Sequence, residues 1–285
     1  MSRFTLIPDL PRVVLAPNLI QLGADPERAC RLEVPNGRVA KLLDRLENWL
    51  DDAAYAVSAR RLGIPGHEAE ALLKLLRGNG FLLDADAADR AAALTPEAKA
   101  LALRRGSAPG RLLASRRRHR VFVNAAGPLA REIAATLRRS ELGQVWCADE
   151  GRRAKPTFTV LVNPPQPAEL AARACAMRSR PYLVVSTLDG VVHVGPLVRP
   201  GRTPCAACVA LHYRDGLPGY APVDTGDHLE APLLTMAASW AAMVVLQHIA
   251  GEECLAEAAT IRLTPSLRFF RRRWDPHPEC GCVAP

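Results

Sequence analysis

The chain has 285 residues, 49% of them hydrophobic, and a formal net charge of +8. That is enough apolar side chain for one large or two compact packed domains, and it excludes a disordered chain. The longest apolar candidate, Leu233 to Ala250, is interrupted by Thr235, Ser239, Gln247 and His248 and reads as a buried helix rather than a membrane span.

The first residues, MSRFTLIPDLPR, lack an apolar signal core because Pro8, Asp9 and Pro11 break it, so a cytoplasmic protein with no membrane partner is expected. Short extended pieces follow: Arg12–Leu15, Leu19–Leu22 and Cys30–Val34, separated by Pro17-Asn18 and by Gly23 to Pro26. Arg38 to Leu50 then places Val39, Leu42, Leu43, Leu46 and Leu50 on one helical stripe. Shorter helical patterns cover Ala53 to Leu62 and His67 to Arg77, the second stopping at Gly78-Asn79-Gly80. Phe81 to Leu83 reads as a strand. Three strands and three helices, the last two at helix-turn-helix spacing, predict a winged-helix-like domain over residues 1–85.

Residues 86–118 are rich in Ala, Arg and Pro and predict a linker, partly helical, with Thr95 capping a helix that starts at Pro96. Arginines gather at Arg104, Arg105, Arg111, Arg116, Arg117, Arg118 and Arg120, and again at Arg268, Arg271, Arg272 and Arg273. This excess points to an acidic partner.

From residue 119 strands and helices alternate. Val121–Val123, Gln144–Ala148, Phe158–Val162 and Tyr182–Ser186 are strands without a polar face, the mark of a buried parallel sheet. Pro128 to Arg139 and Ala168 to Met177 are helices between them. Asp189-Gly190 predicts a hairpin. Helices at Cys208 to Arg214 and Leu229 to His248 precede a second hairpin about Pro265. Residues 119–285 thus predict an α/β domain.

Cys30, Cys147, Cys175 and Cys254 lie in apolar stretches, as buried thiols do. Cys205-Ala206-Ala207-Cys208 and Cys280-Gly281-Cys282 are different. A CxxC puts two sulfurs on one turn, and four thiolates make a closed tetrahedral zinc site with no position left for substrate. Residues 209–279 separate the pairs, too many for a self-contained ribbon, so the ion would staple the C-terminal tail to the domain. His277 is placed to replace one thiolate; a redox CxxC or unligated thiols are the alternatives. His193 and His212 read as structural histidines.

The strand–Gly–helix at 121–139 sits where a phosphate-binding loop would be. Its sequence, Asn124-Ala125-Ala126-Gly127-Pro128-Leu129-Ala130, keeps one glycine, and Pro128 has no N–H to donate. ATP is therefore not an expected cofactor, although Asp149-Glu150 stands where a ribose-binding acid would. No nucleophile system stands out, and no catalytic residue is assigned.

The segment Val194 to Cys208 with the ending His277 to Cys282 resembles the zinc knuckle of ThiF-like proteins from azoline-forming peptide biosynthesis, relatives of ubiquitin-activating enzymes. The N-terminal region is similar to the small winged-helix domain that binds leader peptides of ribosomally made, modified natural products. The resemblance implies a winged-helix domain followed by a Rossmann-like ThiF-type α/β domain with one structural zinc. It further implies a non-catalytic protein that binds a precursor leader peptide and presents it to a YcaO-type cyclodehydratase. The active adenylating pattern is missing at Asn124, Ala125, Ala126 and Ala130.

The leader is expected to add as a strand along Ala29 to Val34 and against Gly66 to Arg77. Arg28, Ala29, Cys30, Arg31, Leu32, Glu33, Val34, Ala69, Leu73, Lys74 and Arg77 would line it, with Arg28, Arg31, Lys74 and Arg77 suited to an acidic leader. The same resemblance implies a twofold homodimer. Two other functions fit parts of the sequence: an ATP-dependent adenylating enzyme, and a winged-helix DNA-binding regulator. The regulator suits the charge, but His67, Lys74, Arg77 and Asn79 are few donors for bases and phosphates, so no nucleic-acid partner is expected.

Overall fold

The computed structural model describes residues 3–33, 37–85, 95–105, 109–151, 154–164, 168–219, 226 and 228–283. It divides into two compact units, Met1–Ala114 and Ser115–Pro285.

In the first unit, β1 (Arg3–Leu6) pairs antiparallel with β5 (Leu82–Ala85), and β2 (Arg12–Ala16), β3 (Leu19–Leu22) and β4 (Cys30–Glu33) form an antiparallel sheet with β4 at one edge. The helices are α1 (Arg38–Arg45), α2 (Asp52–Arg61) and α3 (Gly66–Gly78). Helix α1 buries Val39, Leu42 and Leu43, the expected stripe, but stops at Arg45 rather than Leu50. Tertiary bonding explains the early end. The Leu46 carbonyl accepts the Leu6 N–H and the Thr5 hydroxyl, each at 2.7 Å, and Phe4 bonds Leu50 in both directions. Asp51 caps α2 by accepting the Ala54 N–H at 2.8 Å. The buried Tyr55 hydroxyl, its pKa pushed up to about 12 by burial, donates to the Ala69 carbonyl and ties α2 to α3. Leu32, Ala69 and Leu73 share one core with Phe4, Leu42 and Tyr55.

Where described, the stretch expected as a linker forms α4 (Pro96–Arg105) and α5 (Pro109–Arg118). Thr95 caps α4 by accepting the Ala98 N–H at 3.2 Å. Ala98 and Leu101 bury against Leu113, and Ala102 against Ile7 and Leu83. Small apolar residues at helical spacing thus pack here into the first unit.

The second unit is an α/β layer structure. β6 (Arg120–Val123), α6 (Pro128–Arg139), β7 (Gln144–Cys147), β8 (Phe158–Val162), α7 (Ala168–Ala176), β9 (Tyr182–Leu188), β10 (Val191–Val198), α8 (Ala206–Gly216), α9 (Ala231–Ile249), β11 (Ala259–Leu263) and β12 (Phe269–Arg273) follow in order. The sheet runs β12-β11-β10-β9-β8-β6-β7. Strands β7, β6, β8 and β9 are parallel; β9 to β12 are antiparallel. Helix α9 is long and apolar enough to cross a membrane by length and composition. Ala237, Ala238, Ala241, Ala242 and Val245 are nevertheless buried, in one core with Ile133 and Leu137 of α6 and with the sheet.

His248, near the end of α9, meets the Phe158 ring at a tilt, centroids 5.3 Å apart. Burial first, then Arg199 and His119, lowers its pKa below the usual 6.5. The unfolded chain therefore binds this proton more readily. The neutral ring contributes stability that is present above about pH 6.5 and lost as pH falls through the folded value. His248→Phe is expected to flatten that part of the decline, read as the Tm difference between about pH 7.5 and 5.5.

Candidate functional site

The four knuckle cysteines converge. Cys205 is the extended N-cap of α8 and Cys208 lies in its first turn, which leaves their sulfurs 4.0 Å apart. The tail returns beside them, with Cys280 Sγ 3.4 Å from Cys205 Sγ and Cys282 Sγ 3.3 Å from Cys208 Sγ. Gly281 has φ +61, so the CxC reverses where a side chain would be strained. All four sulfurs lie within 4.8 Å of one another and none is bonded to another. Four sulfurs at about 2.3 Å from one tetrahedral ion would stand about 3.8 Å apart, inside the observed spread.

The electrostatics agree. Burial pushes the Cys280 and Cys282 thiols up, the second to about 12, and the neighbouring cysteines push further. Cys208 is also buried, yet its pKa is held below the ordinary thiol value by N–H groups of His277 and Cys205 and by the adjoining thiols. Four thiolates cannot coexist here without a cation among them, and the cluster can hold a metal ion.

His277 is a support rather than a ligand. Its Nε2 lies 2.9 Å from Asp215 Oδ2, its Nδ1 accepts the Glu279 N–H at 3.2 Å, and its backbone N–H donates to Cys208 Sγ at 3.4 Å. The ring also meets His212 edge-on, and His212 contacts the Asp275 carbonyl at 2.9 Å. Arg214 bridges Glu279 at 2.9 Å, and the Tyr182 hydroxyl accepts the Ala206 N–H at 3.2 Å. Sequence reasoning missed Asp215 and Tyr182: they are remote in the chain from the cysteines they support, and neither belongs to a motif.

At the loop between β6 and α6 the backbone runs on from the β6–β8 ladder. Asn124 donates to the Val160 carbonyl at 2.8 Å and Ala125 to the Val123 carbonyl at 2.9 Å. Gly127 is the N-cap of α6, and Ala126 and Pro128 flank it. Asp149 is paired with Arg131 at 2.9 Å; the Arg131 hydrogen bond holds its carboxyl below the usual carboxylate range. Glu150 pairs with Arg138 at 2.6 Å. After β8, Asn163 Nδ2 donates to Thr187 Oγ1 of β9 at 2.9 Å and the Thr187 N–H to Asn163 Oδ1 at 2.7 Å. A cavity of about 1080 Å³ lies instead against Phe122 and Trp146, with Lys155, Arg178 and Arg180 among its lining. Those two rings alternate with the buried Val121, Val123, Val145 and Cys147, so it opens on the sheet face away from α6.

In the first unit the expected leader residues are distributed as follows. Arg31 and Glu33 are exposed on β4 and Leu32 is buried, while Ala29 and Cys30 are half-buried. Val34 lies outside the described residues. On α3, Ala69 and Leu73 belong to the core and Lys74 is exposed. Two of the four cations have other partners. Arg77 reaches Asp52 and Asp84 and lies 5.0 Å over the Phe4 ring, and Arg28 bonds the Leu103 carbonyl. Among the described residues that leaves Arg31 and Lys74 as the exposed charges without such a partner.

No family model matches the chain, and no curated protein sequence does. Solved structures do. A heterocyclase in complex with substrate and cofactor superposes with a TM-score of 0.72 at 17% identity, covering 99% of this chain and 40% of that one. The heterocyclase TruD gives 0.71 at 15%, covering 99% and 43%. MccB of E. coli with AMPCPP and MccA gives 0.68 at 13%, covering 99% and 100%. The class defined is thus an α/β protein with a four-cysteine cluster, built on the fold shared with these heterocyclases and MccB. The chain spans about two fifths of the heterocyclase chains and the full length of MccB.

Proposed function

We propose that this protein binds the leader of a ribosomal precursor peptide and presents the peptide to a YcaO-type cyclodehydratase, with no chemistry of its own. Residues 1–85 act as a winged-helix leader-binding domain, and residues 119–285 as a ThiF-like domain. The observation that carries the proposal is a fold shared with heterocyclases and MccB over 99% of the chain in which the strand-to-helix loop keeps one glycine, Gly127, and starts its helix on Pro128, which has no N–H to donate. The leader adds as a strand beside β4, an edge strand in its sheet, and against α3. Zinc is the ion that suits Cys205, Cys208, Cys280 and Cys282: a closed four-thiolate set is structural, and here it would fix the tail beside α8. A twofold homodimer, implied by the sequence resemblance, is checked by sedimentation.

The test is the rate of the cyclodehydratase encoded beside this chain on its precursor. The rate should rise at least tenfold when the full chain is added. Arg31→Glu/Lys74→Glu should remove most of that gain, raising the apparent KM for precursor more than lowering kcat. A rate indifferent to the chain would end the proposal.

One observation favours a second function, an adenylating enzyme: the full-length match is to MccB, which has been crystallised with ATP. Pyrophosphate exchange dependent on ATP and precursor would establish it. The absent loop glycines and the Asp149–Arg131 pair weigh against it.

A further inference from the structure

Strand β12 closes one end of the seven-stranded sheet, and all five of its residues, Phe269 to Arg273, are exposed. Its pairing with β11 fixes which backbone groups are spent. Bonds from the Thr264 N–H to the Arg268 carbonyl and from the Trp274 N–H to the Ala258 carbonyl bracket the ladder. In an antiparallel pair the bonded positions alternate, so Phe270 and Arg272 bond β11, across from Arg262 and Thr260. Phe269, Arg271 and Arg273 therefore turn their N–H and C=O groups outward. Among the described residues nothing pairs with them.

The side chains sort the same way. Phe269, Arg271 and Arg273 share the face of Leu263, Ile261 and Ala259, on which Trp240 of α9 meets Phe269 at 5.8 Å. On that face Arg271 Nε donates to the Leu255 carbonyl at 2.9 Å, leaving its terminal nitrogens; on the other face Arg272 is committed, lying 4.1 Å over Trp274 and 5.1 Å over Tyr213. Phe269 and Phe270 are 66% and 52% exposed, and Leu267 before them 75%. Exposed phenylalanines beside an unpaired ladder are a template for another strand.

We infer that the outer edge of β12 is a docking edge for an extended acidic segment of a partner protein, added as an eighth strand. Charge selects this occupant. A second copy would set Arg268, Arg271, Arg272 and Arg273 of each strand across one interstrand gap of about 4.8 Å, and like charges placed opposite destabilise a sheet. An alternating acidic segment reverses that sign, with carboxylates on the Arg271 and Arg273 face and apolar residues on the Phe270 face. A nucleic-acid backbone matches the arginines but only accepts hydrogen bonds from the outward N–H groups, so the outward carbonyls of Phe269, Arg271 and Arg273 would stay unpaired. This edge lies in the second unit and is independent of the leader site proposed on β4.

The test uses the full chain and a blocked nine-residue peptide of alternating Glu and Val. Saturable binding is expected, with amide exchange slowed selectively at Phe269, Arg271 and Arg273. Arg271→Pro deletes an outward N–H and the side-chain bond to the Leu255 carbonyl without removing a backbone bond to β11, and edge strands accept proline. It should weaken binding tenfold or more while leaving the thermal transition in place. Arg271→Glu/Arg273→Glu, which leaves the backbone intact, should do the same. Four results would each overturn the inference: no binding, binding unchanged in Arg271→Pro and the double variant, the same amides protected without peptide as protein concentration rises, or oligothymidylate protecting them in preference to the peptide.

Discussion

Cys208→Ser should strip the bound ion and lower the Tm of the second unit by about 10 °C or more. The sulfur of Cys208 is buried between Cys205 and Cys282 and takes the His277 N–H. Serine offers a poorer ligand to a thiophilic ion, and the Cys280 and Cys282 thiols stay raised by burial. An ion that binds only the folded state stabilises it by about 4 kcal/mol at a thousandfold excess over its Kd. For a unit of this size each kcal/mol moves Tm by about 2–4 °C. The loss should centre on the tail, because Trp274, Asp275, His277 and Glu279 reach α8 through contacts that the sulfurs hold in register. Metal analysis of the wild type should return about one zinc per chain, and strong chelation should reproduce the variant. Acid should do likewise, since the ligands must be deprotonated. A wild-type protein that is free of metal and melts cooperatively at the same temperature after chelation would remove zinc from the account.

Gly195→Ala is the most damaging single methyl group expected in the sheet. Gly195 lies in β10 with φ +113, a conformation that side chains rarely adopt, and an added Cβ would stand 2.1 Å from the Ala259 carbonyl oxygen. The obstacle is backbone, so no rotamer change relieves it. The register between β10 and β9 already shifts between Val194 and Leu197, and the Leu197 N–H bonds the Ala256 carbonyl at 2.8 Å. Alanine must therefore part β10 from β11 or force the strand out of its bulge. Strain of this kind costs about 1–3 kcal/mol before any packing is lost, and with Ile261 and Val194 disturbed the total should exceed about 3 kcal/mol. Denaturant unfolding measures it directly; a change under about 1 kcal/mol would show that β10 has room the geometry denies.

Local pattern made much of this legible. The stripes of α1, α3 and α6, the Thr95 cap, the Asp189-Gly190 hairpin and the parallel run of apolar strands all follow from nearest neighbours on helices and turns. So did the cysteine cluster, because CxxC and CxC each fix two sulfurs before any tertiary contact forms. What escaped were pairings between distant segments. β1 finds β5 nearly eighty residues on, and the bonds of β1 to Leu46 and Leu50, not propensity, end α1 at Arg45. The packed faces of α4 and α5 are short, Ala98, Leu101 and Ala102 on one and Leu113 on the other, and carry little periodic signal. Asp215 reaches His277 only once the tail has returned. Arg28 and Arg77 looked like free cations in the sequence, yet the fold gives both internal partners.

The most direct measurement is a calorimetric titration of the full chain with the leader of its neighbouring precursor peptide, repeated in the presence of ATP and magnesium. The account predicts one-to-one binding at micromolar Kd or tighter, unchanged by nucleotide, with no heat from ATP alone and a loss of tenfold or more in Arg31→Glu/Lys74→Glu. Absence of leader binding, or nucleotide-dependent binding accompanied by pyrophosphate release, would contradict it.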